Sequence, residues 1–188
     1  MIQSEENGFK TIEELNTFVE KQTKGAFSTL DMEVLVPEVK KLVAGDIYVE
    51  VGVDKGKSFL CAYYSSVDGV RLYGVDINGT SIFFQILKDL PRAKFINEDS
   101  SDAGKSWSGG KISLIHIDGD HSYKGCKADI DSWYPHMKDQ GVMLFHDCDE
   151  SSPGVMWAIS EFVYRHKVNK FQLFKRTDKN TSMALIQL

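Results

Sequence analysis

The stretch Asp46–Gly56, DIYVEVGVDKG, decides how the chain is read. Its first half is a short run rich in β-branched and aromatic residues, the composition of a strand buried on both faces. Gly52 and Gly56 then bracket a turn, and the residues from Gly56 to Ser65 read as a helix. Strand, glycine turn and helix together open a βα unit. Glycine lets the backbone turn tightly and approach a ligand with no Cβ in the way. The N-terminus of the helix that follows favours negative charge.

The same unit recurs downstream. Arg71–Val75 is a strand closed by Asp76, and Ser81–Leu90 is a helix stopped by Pro91. Lys94–Ile96 begins a strand that runs into Asn97, Glu98 and Asp99. Ile112–Ile117 ends at Asp118 and leads to a helix over Tyr123–Met137. Val142–Phe145 ends at His146 and Asp147 and leads to a helix over Val155–His166. Upstream, residues 11–20 and 31–43 read as helices, the first opened by Thr11 and Glu14 as a capping box. Phe171–Phe174 and Met183–Ile186 read as two last strands around a polar turn at Asp178–Asn180. Alternating strands and helices predict an α/β fold with a largely parallel sheet.

The 188 residues suit one domain, with residues 1–43 as a helical segment packing on or capping the site. Hydrophobic residues make up 42% and charged residues 26%, enough apolar material for a core. A net charge of −5 leaves no uniform basic footprint for nucleic acid. Lys167, Lys170, Lys175 and Arg176 gather late in the chain and read as a solvated face. Three cysteines without a CxxC pair fit reduced thiols. The first ten residues are polar and acidic, unlike a signal peptide, and no apolar run nears the ~20 residues of a membrane span. A cytoplasmic location is expected.

The chemistry-bearing residues share one position, the carboxyl end of each strand, where open α/β sheets bind ligands. They are Glu50, Gly52 and Gly56, then Asp76, then Asp99, then Asp118, Asp120 and His121, then His146 and Asp147. Any one of these acids could be a helix N-cap. Five strand ends in succession make a polar rim. The glycine turn is not GxGxxG, because Asp54 and Lys57 stand where further glycines would fall, and this weakens a nicotinamide reading. Residues 52–58 imitate a P-loop, yet three residues separate the glycines where four are needed. Asp76, 24 residues after Gly52, suits the two hydroxyls of a ribose. Carboxylates with an imidazole suit a divalent ion such as magnesium or manganese. His121 could instead be a general base, or a surface histidine beside a helix start. His116, inside its strand, reads as a hydrogen-bonded core histidine.

The segments EVGVDKGKS, GVDI, FINEDS and HIDGDHSYKGCKADIDSWYPHMKDQGVMLFHD, across residues 45–165, together resemble class I S-adenosylmethionine-dependent methyltransferases. The similarity is greatest to a small branch that includes macrocin- and mycinamicin-type sugar O-methyltransferases and cephalosporin-hydroxylase-like proteins. The resemblance implies a Rossmann-like fold, seven strands in the order 3-2-1-4-5-7-6 with the last antiparallel and helices on both faces. It implies S-adenosylmethionine as cofactor, held by Glu50, Gly52, Gly56, Ser58, Asp76, Ile77, Asp99, Ser100 and Asp118. It places a divalent metal on Asp118, His146 and Asp147, and catalytic roles on His121 and Asp118. Where relatives carry a second acid, this chain has His146, which removes one negative charge and shifts preference from magnesium toward manganese or iron.

The activity so implied is metal-assisted O-methylation of a small hydroxyl-bearing acceptor, without nucleic acid or membrane as partner and with a homo-oligomer expected from relatives. Residues 1–30, 101–110 and 149–154 would choose the acceptor, with Trp107 and Trp157 as walls of its pocket or as packing residues. A cofactor-binding domain that methylates nothing, and a nucleotide- or nicotinamide-dependent α/β enzyme, remain as alternatives.

Overall fold

A computed structural model describes residues 9–168, 170–175 and 182–188, the Ile82 side chain apart. Two capped helices come first. The Thr11 hydroxyl accepts from the Glu14 amide and opens α1 (Ile12–Glu20). Ser28 does the same through Asp31 and opens α2 (Thr29–Val39). This second helix starts and stops earlier than its sequence suggests. The capping box fixes its start, and a turn in which Asp46 accepts from the Val43 amide follows its end.

The βα succession follows as β1 (Ile47–Val51), α3 (Lys57–Ser65), β2 (Arg71–Val75), α4 (Ser81–Leu87), β3 (Ala93–Ile96), α5 (Ser100–Lys105), β4 (Ile112–Ile117), α6 (Tyr123–Trp133), β5 (Met137–Phe145) and α7 (Pro153–His166). It closes with β6 (Lys170–Lys175) and β7 (Ser182–Gln187). The polar turn expected at 178–180 lies outside the described residues.

Besides α2, and α4, which ends at Leu87, three elements depart further from expectation. Helix α5 was not anticipated, because SSDAGK has no apolar period; Asp99 starts it by capping the amides of Ser101 and Asp102. Helix α6 stops at Trp133 and gives way to a 3-10 turn over Tyr134–His136, where Pro135 lacks the amide that continued helix requires. Strand β5 begins five residues early, Met137 pairing with Ile112 across an irregularity in the register.

The sheet order is β3-β2-β1-β4-β5-β7-β6. β1 to β5 are parallel, and β7 runs antiparallel to both β5 and β6. Strand periodicity divides the core in two. Tyr48, Leu72, Leu114 and Leu144 face α1 to α4. Val49, Val75, Ile115 and Phe145 face α5, α6 and α7. Every second residue shares a face, so Glu50, His116 and His146 fall on the side of α1 to α3.

That side also receives the N-terminal segment. Lys57, at the start of α3, pairs with Glu20 at 2.9 Å, and the Thr23 hydroxyl donates to the Lys55 carbonyl. Phe27, 5% exposed, has its ring centroid 5.8 Å from those of both His116 and His146. No helix of the described residues is long and apolar enough to cross a membrane.

Candidate active site

The glycine turn is tighter than a ligand cradle alone would require. Gly52 has φ +82°, and a Cβ there would lie 2.0 Å from the backbone oxygen of Asp118. The turn after β1 therefore rests directly on the backbone at the end of β4. The Asp118 amide donates to the Val51 carbonyl, and the His146 amide to the Ile117 carbonyl, so three neighbouring strand ends are locked edge to edge.

On the β1–β3 side the acids are held by backbone amides. Asp76 accepts from the Asp54 amide at 3.0 Å on one oxygen and from the Asn78 amide at 2.9 Å on the other. Each oxygen keeps an acceptor site for a ligand hydroxyl. Asn97, which the sequence reading passed over, ties this loop down by donating to the carbonyls of Asp76 and Ile77. Ile77 is an exposed apolar side chain beside it. Asp99 caps α5 through one oxygen, accepting from the Ser101 amide and hydroxyl and the Asp102 amide, and these donors hold its carboxyl below the usual range.

The Ser100 hydroxyl turns inward to Asp129 on α6. Asp129 is buried, and burial pushes its carboxyl up to about 6. Glu50 is wholly buried and both oxygens are engaged within the protein, one by the Tyr48 hydroxyl and the other by the Ser58 hydroxyl at 2.7 Å. His116 lies 3.6 Å from Glu50, and neither of its ring nitrogens has a hydrogen-bond partner among the described residues.

The β4–β5 side is organised differently. His121 Nε2 lies 3.4 Å from Asp118 Oδ1 and 3.2 Å from Asp147 Oδ2. His146 Nδ1 lies 3.5 Å and 3.1 Å from the same two oxygens. Asp147 reaches this position through a left-handed backbone, φ 53°, which Asp tolerates better than most residues. Ligand atoms of Asp118, His121 and Asp147 lie within 4.8 Å of one another, close enough to share one ion.

The contacts between carboxylates and imidazoles set the proton affinities here. Burial raises the Asp118 carboxyl, but His121 and His146 outweigh it and hold the group well below the carboxylate range. Asp118 raises the His121 pKa. Burial lowers that of His146, yet the surrounding Asp118, Asp147 and Asp31 push it up to about 12.

Asp31, from α2, is the residue that sequence reasoning missed. Its signal was the Ser28–Asp31 capping pair, which speaks of a helix start and not of a site. Of the two tryptophans, Trp107 packs on Tyr73 and Trp133 and donates to the Gly110 carbonyl just ahead of β4, at the opposite end of the strand from Asp118. Trp157 is exposed on α7. Asp120 accepts from the amide and hydroxyl of Ser122, the residue that caps α6.

Seven strands in this order, with one antiparallel strand inserted beside β5, define the Rossmann-like methyltransferase fold. The chain belongs to the family described as "Methyltransferase domain", whose model matches residues 49–148, and its fold is that of the class I methyltransferases. An uncharacterised protein of Sinorhizobium fredii is 24% identical over 122 residues, 56% of this chain; the chain spans only 13% of that relative's length.

Among solved structures, the chain is similar to a SAM-dependent O-methyltransferase of Thermotoga maritima, with TM-score 0.71 and 10% identity over 94% of this chain and 71% of that one. It is similar to an rRNA methylase of Streptococcus thermophilus, with TM-score 0.64 and 11% identity over 82% and 93%. CalS11, a TDP-rhamnose 3'-O-methyltransferase of calicheamicin biosynthesis, gives TM-score 0.62 and 13% identity over 100% and 96%. At these identities the likeness is one of fold.

Proposed function

We propose that the protein transfers a methyl group from S-adenosylmethionine to a hydroxyl of a small acceptor, at a site that uses a divalent cation. The observation that carries this reading is the meeting of the Asp118 and Asp147 carboxylates with the His121 and His146 rings next to the glycine turn. The donor chemistry fits both groups. Asp76 offers a ribose diol one open acceptor site on each oxygen, with Ile77 as an apolar neighbour. Carboxylate and imidazole donors suit magnesium or manganese, and His146 Nδ1, buried and without a hydrogen bond, faces the same carboxylates.

Bound S-adenosylmethionine supplies an activated methyl on a sulfonium, and a bound cation supplies Lewis acidity toward an acceptor oxygen. The chain's own part is to place that oxygen and take its proton. Asp118 and Asp147 would hold the cation, with His146 behind them. His121, 43% exposed at its side chain, is the imidazole an acceptor reaches from solvent, and its Nε2 is the base for the hydroxyl proton. His146, 11% exposed, is too deep for that role. The structural relatives titled O-methyltransferase, one acting on a nucleotide sugar, support a hydroxyl acceptor. The net charge of −5 favours a small molecule over RNA.

The test is calorimetry on EDTA-treated protein, titrated with S-adenosylmethionine and separately with Mn²⁺. Micromolar cofactor binding, about −8 kcal/mol, and a distinct Mn²⁺ heat are expected. Methyl transfer to a panel of sugar and phenol acceptors should need the added ion. Cofactor binding with transfer unaffected by EDTA would remove the metal from the mechanism; no cofactor binding would remove the reading altogether.

A further inference from the structure

Helix α2 lies outside the matched segment 49–148, yet it delivers one acid into the site. Asp31 is 1% exposed. Its Oδ2 accepts from the amide and the hydroxyl of Ser28, both at 2.8 Å. Its Oδ1 is buried with no hydrogen bond and lies 3.4 Å from His146 Nε2. On the far side of the same ring, Nδ1 faces Asp118 and Asp147. Phe27, from the same segment, packs against the ring at 5.8 Å and 38°. A helix cap needs only one carboxylate oxygen and works at the surface. Burying the whole group costs free energy unless the second oxygen also has a partner.

We propose that Asp31 is the positioning residue for His146: Oδ1 accepts the Nε2–H, fixes the ring, and leaves Nδ1 as the donor atom toward the Asp118–Asp147 cation site. This rests on the metal reading above. The order carboxylate, imidazole, metal is the general arrangement by which proteins orient a histidine ligand. It gives residues 27–31 a part in metal affinity as well as in covering the site.

Asp31→Asn isolates the effect. Its carbonyl can still cap Ser28, while its amide offers His146 a donor where Nε2–H needs an acceptor. Mn²⁺ affinity of the EDTA-treated full chain, read by calorimetry, should fall about 10- to 100-fold with S-adenosylmethionine affinity unchanged. Ser28→Ala, which removes the cap hydroxyl and its bond to Oδ2 but keeps the Ser28 amide on Oδ2 and leaves Oδ1 in place, should leave Mn²⁺ affinity as it was. In a His146→Ala background, Asp31→Asn should cause no further loss. Wild-type Mn²⁺ affinity in Asp31→Asn, or an equal loss with and without His146, overturns the proposal while sparing the metal reading.

No Mn²⁺ binding by the wild-type protein overturns both. Should Asp31→Asn not fold, long-range ¹H–¹⁵N spectra of the Mg²⁺-loaded wild type decide: a proton on His146 Nε2 alone supports the assignment, and one on Nδ1 overturns it.

Discussion

The two halves of the rim are built on opposite plans. Between β1 and β3 the acids are tied by backbone amides, Asp76 to those of Asp54 and Asn78 and Asp99 to those of Ser101 and Asp102. Between β4 and β5, among the described residues, the carboxylates of Asp118 and Asp147 meet only imidazole nitrogens, at 3.1 to 3.5 Å. An acid held by amides is fixed before any ligand arrives. An acid balanced only by charge has no such tether, and a cation of higher charge can replace the proton on the neighbouring imidazole. On the proposed reading the first half holds a ligand in one pose and the second holds a charge.

The largest expected effect breaks the second half. Asp147→Asn should lower methyl transfer by about 100-fold or more and abolish the Mn²⁺ heat, while S-adenosylmethionine affinity stays within about twofold. Loss of both ligands together would mean that the halves act as one site.

Asp76→Ala is the converse and smaller. Lost hydrogen bonds to hydroxyls should weaken S-adenosylmethionine about 10- to 100-fold in a calorimetric titration and leave Mn²⁺ affinity untouched. An unchanged cofactor affinity would take Asp76 out of the binding site.

The smallest effect sharpens the comparison at the boundary between the halves, where Asp129 lies beneath Ser100 and Gly119. Burial raises its carboxyl to about 6 from 3.8, so the folded state holds a proton that the unfolded state has released. Folding stability should therefore fall as pH rises from about 4 to about 6 and stay lowered above that. Asp129→Asn removes this term. Urea unfolding should show it more stable than wild type at pH 8 by about 2 kcal/mol, with no gain near pH 4. A gain of the same size at both pH values would point to packing instead.

The sheet was legible because each strand carries its own stop, and acids at successive stops mark one edge. Strand parity was legible too: Glu50, His116 and His146 sit at even steps from Tyr48, Leu114 and Leu144, which places them on one face. What met that face was not legible. Asp31 lies 115 positions before His146, and its local pattern says only that a helix begins. Nor does sequence reveal that Glu50 and Ser58, read as cofactor residues, are bonded to each other inside the core. Helix α5 escaped because six small and polar residues have no period, and Asp99, one of several acids that could cap a helix, does not by itself announce one.

The contact between Gly52 and the Asp118 backbone also bears on how such a protein can diversify. On the proposed reading, the spacing between the cofactor turn and the cation-holding acid is set by main chain against main chain, with no side chain to lengthen or shorten. Acceptor choice would then be free to drift in the surrounding loops while that spacing is inherited unchanged. A graft that imports either strand end from a relative must import its partner as well.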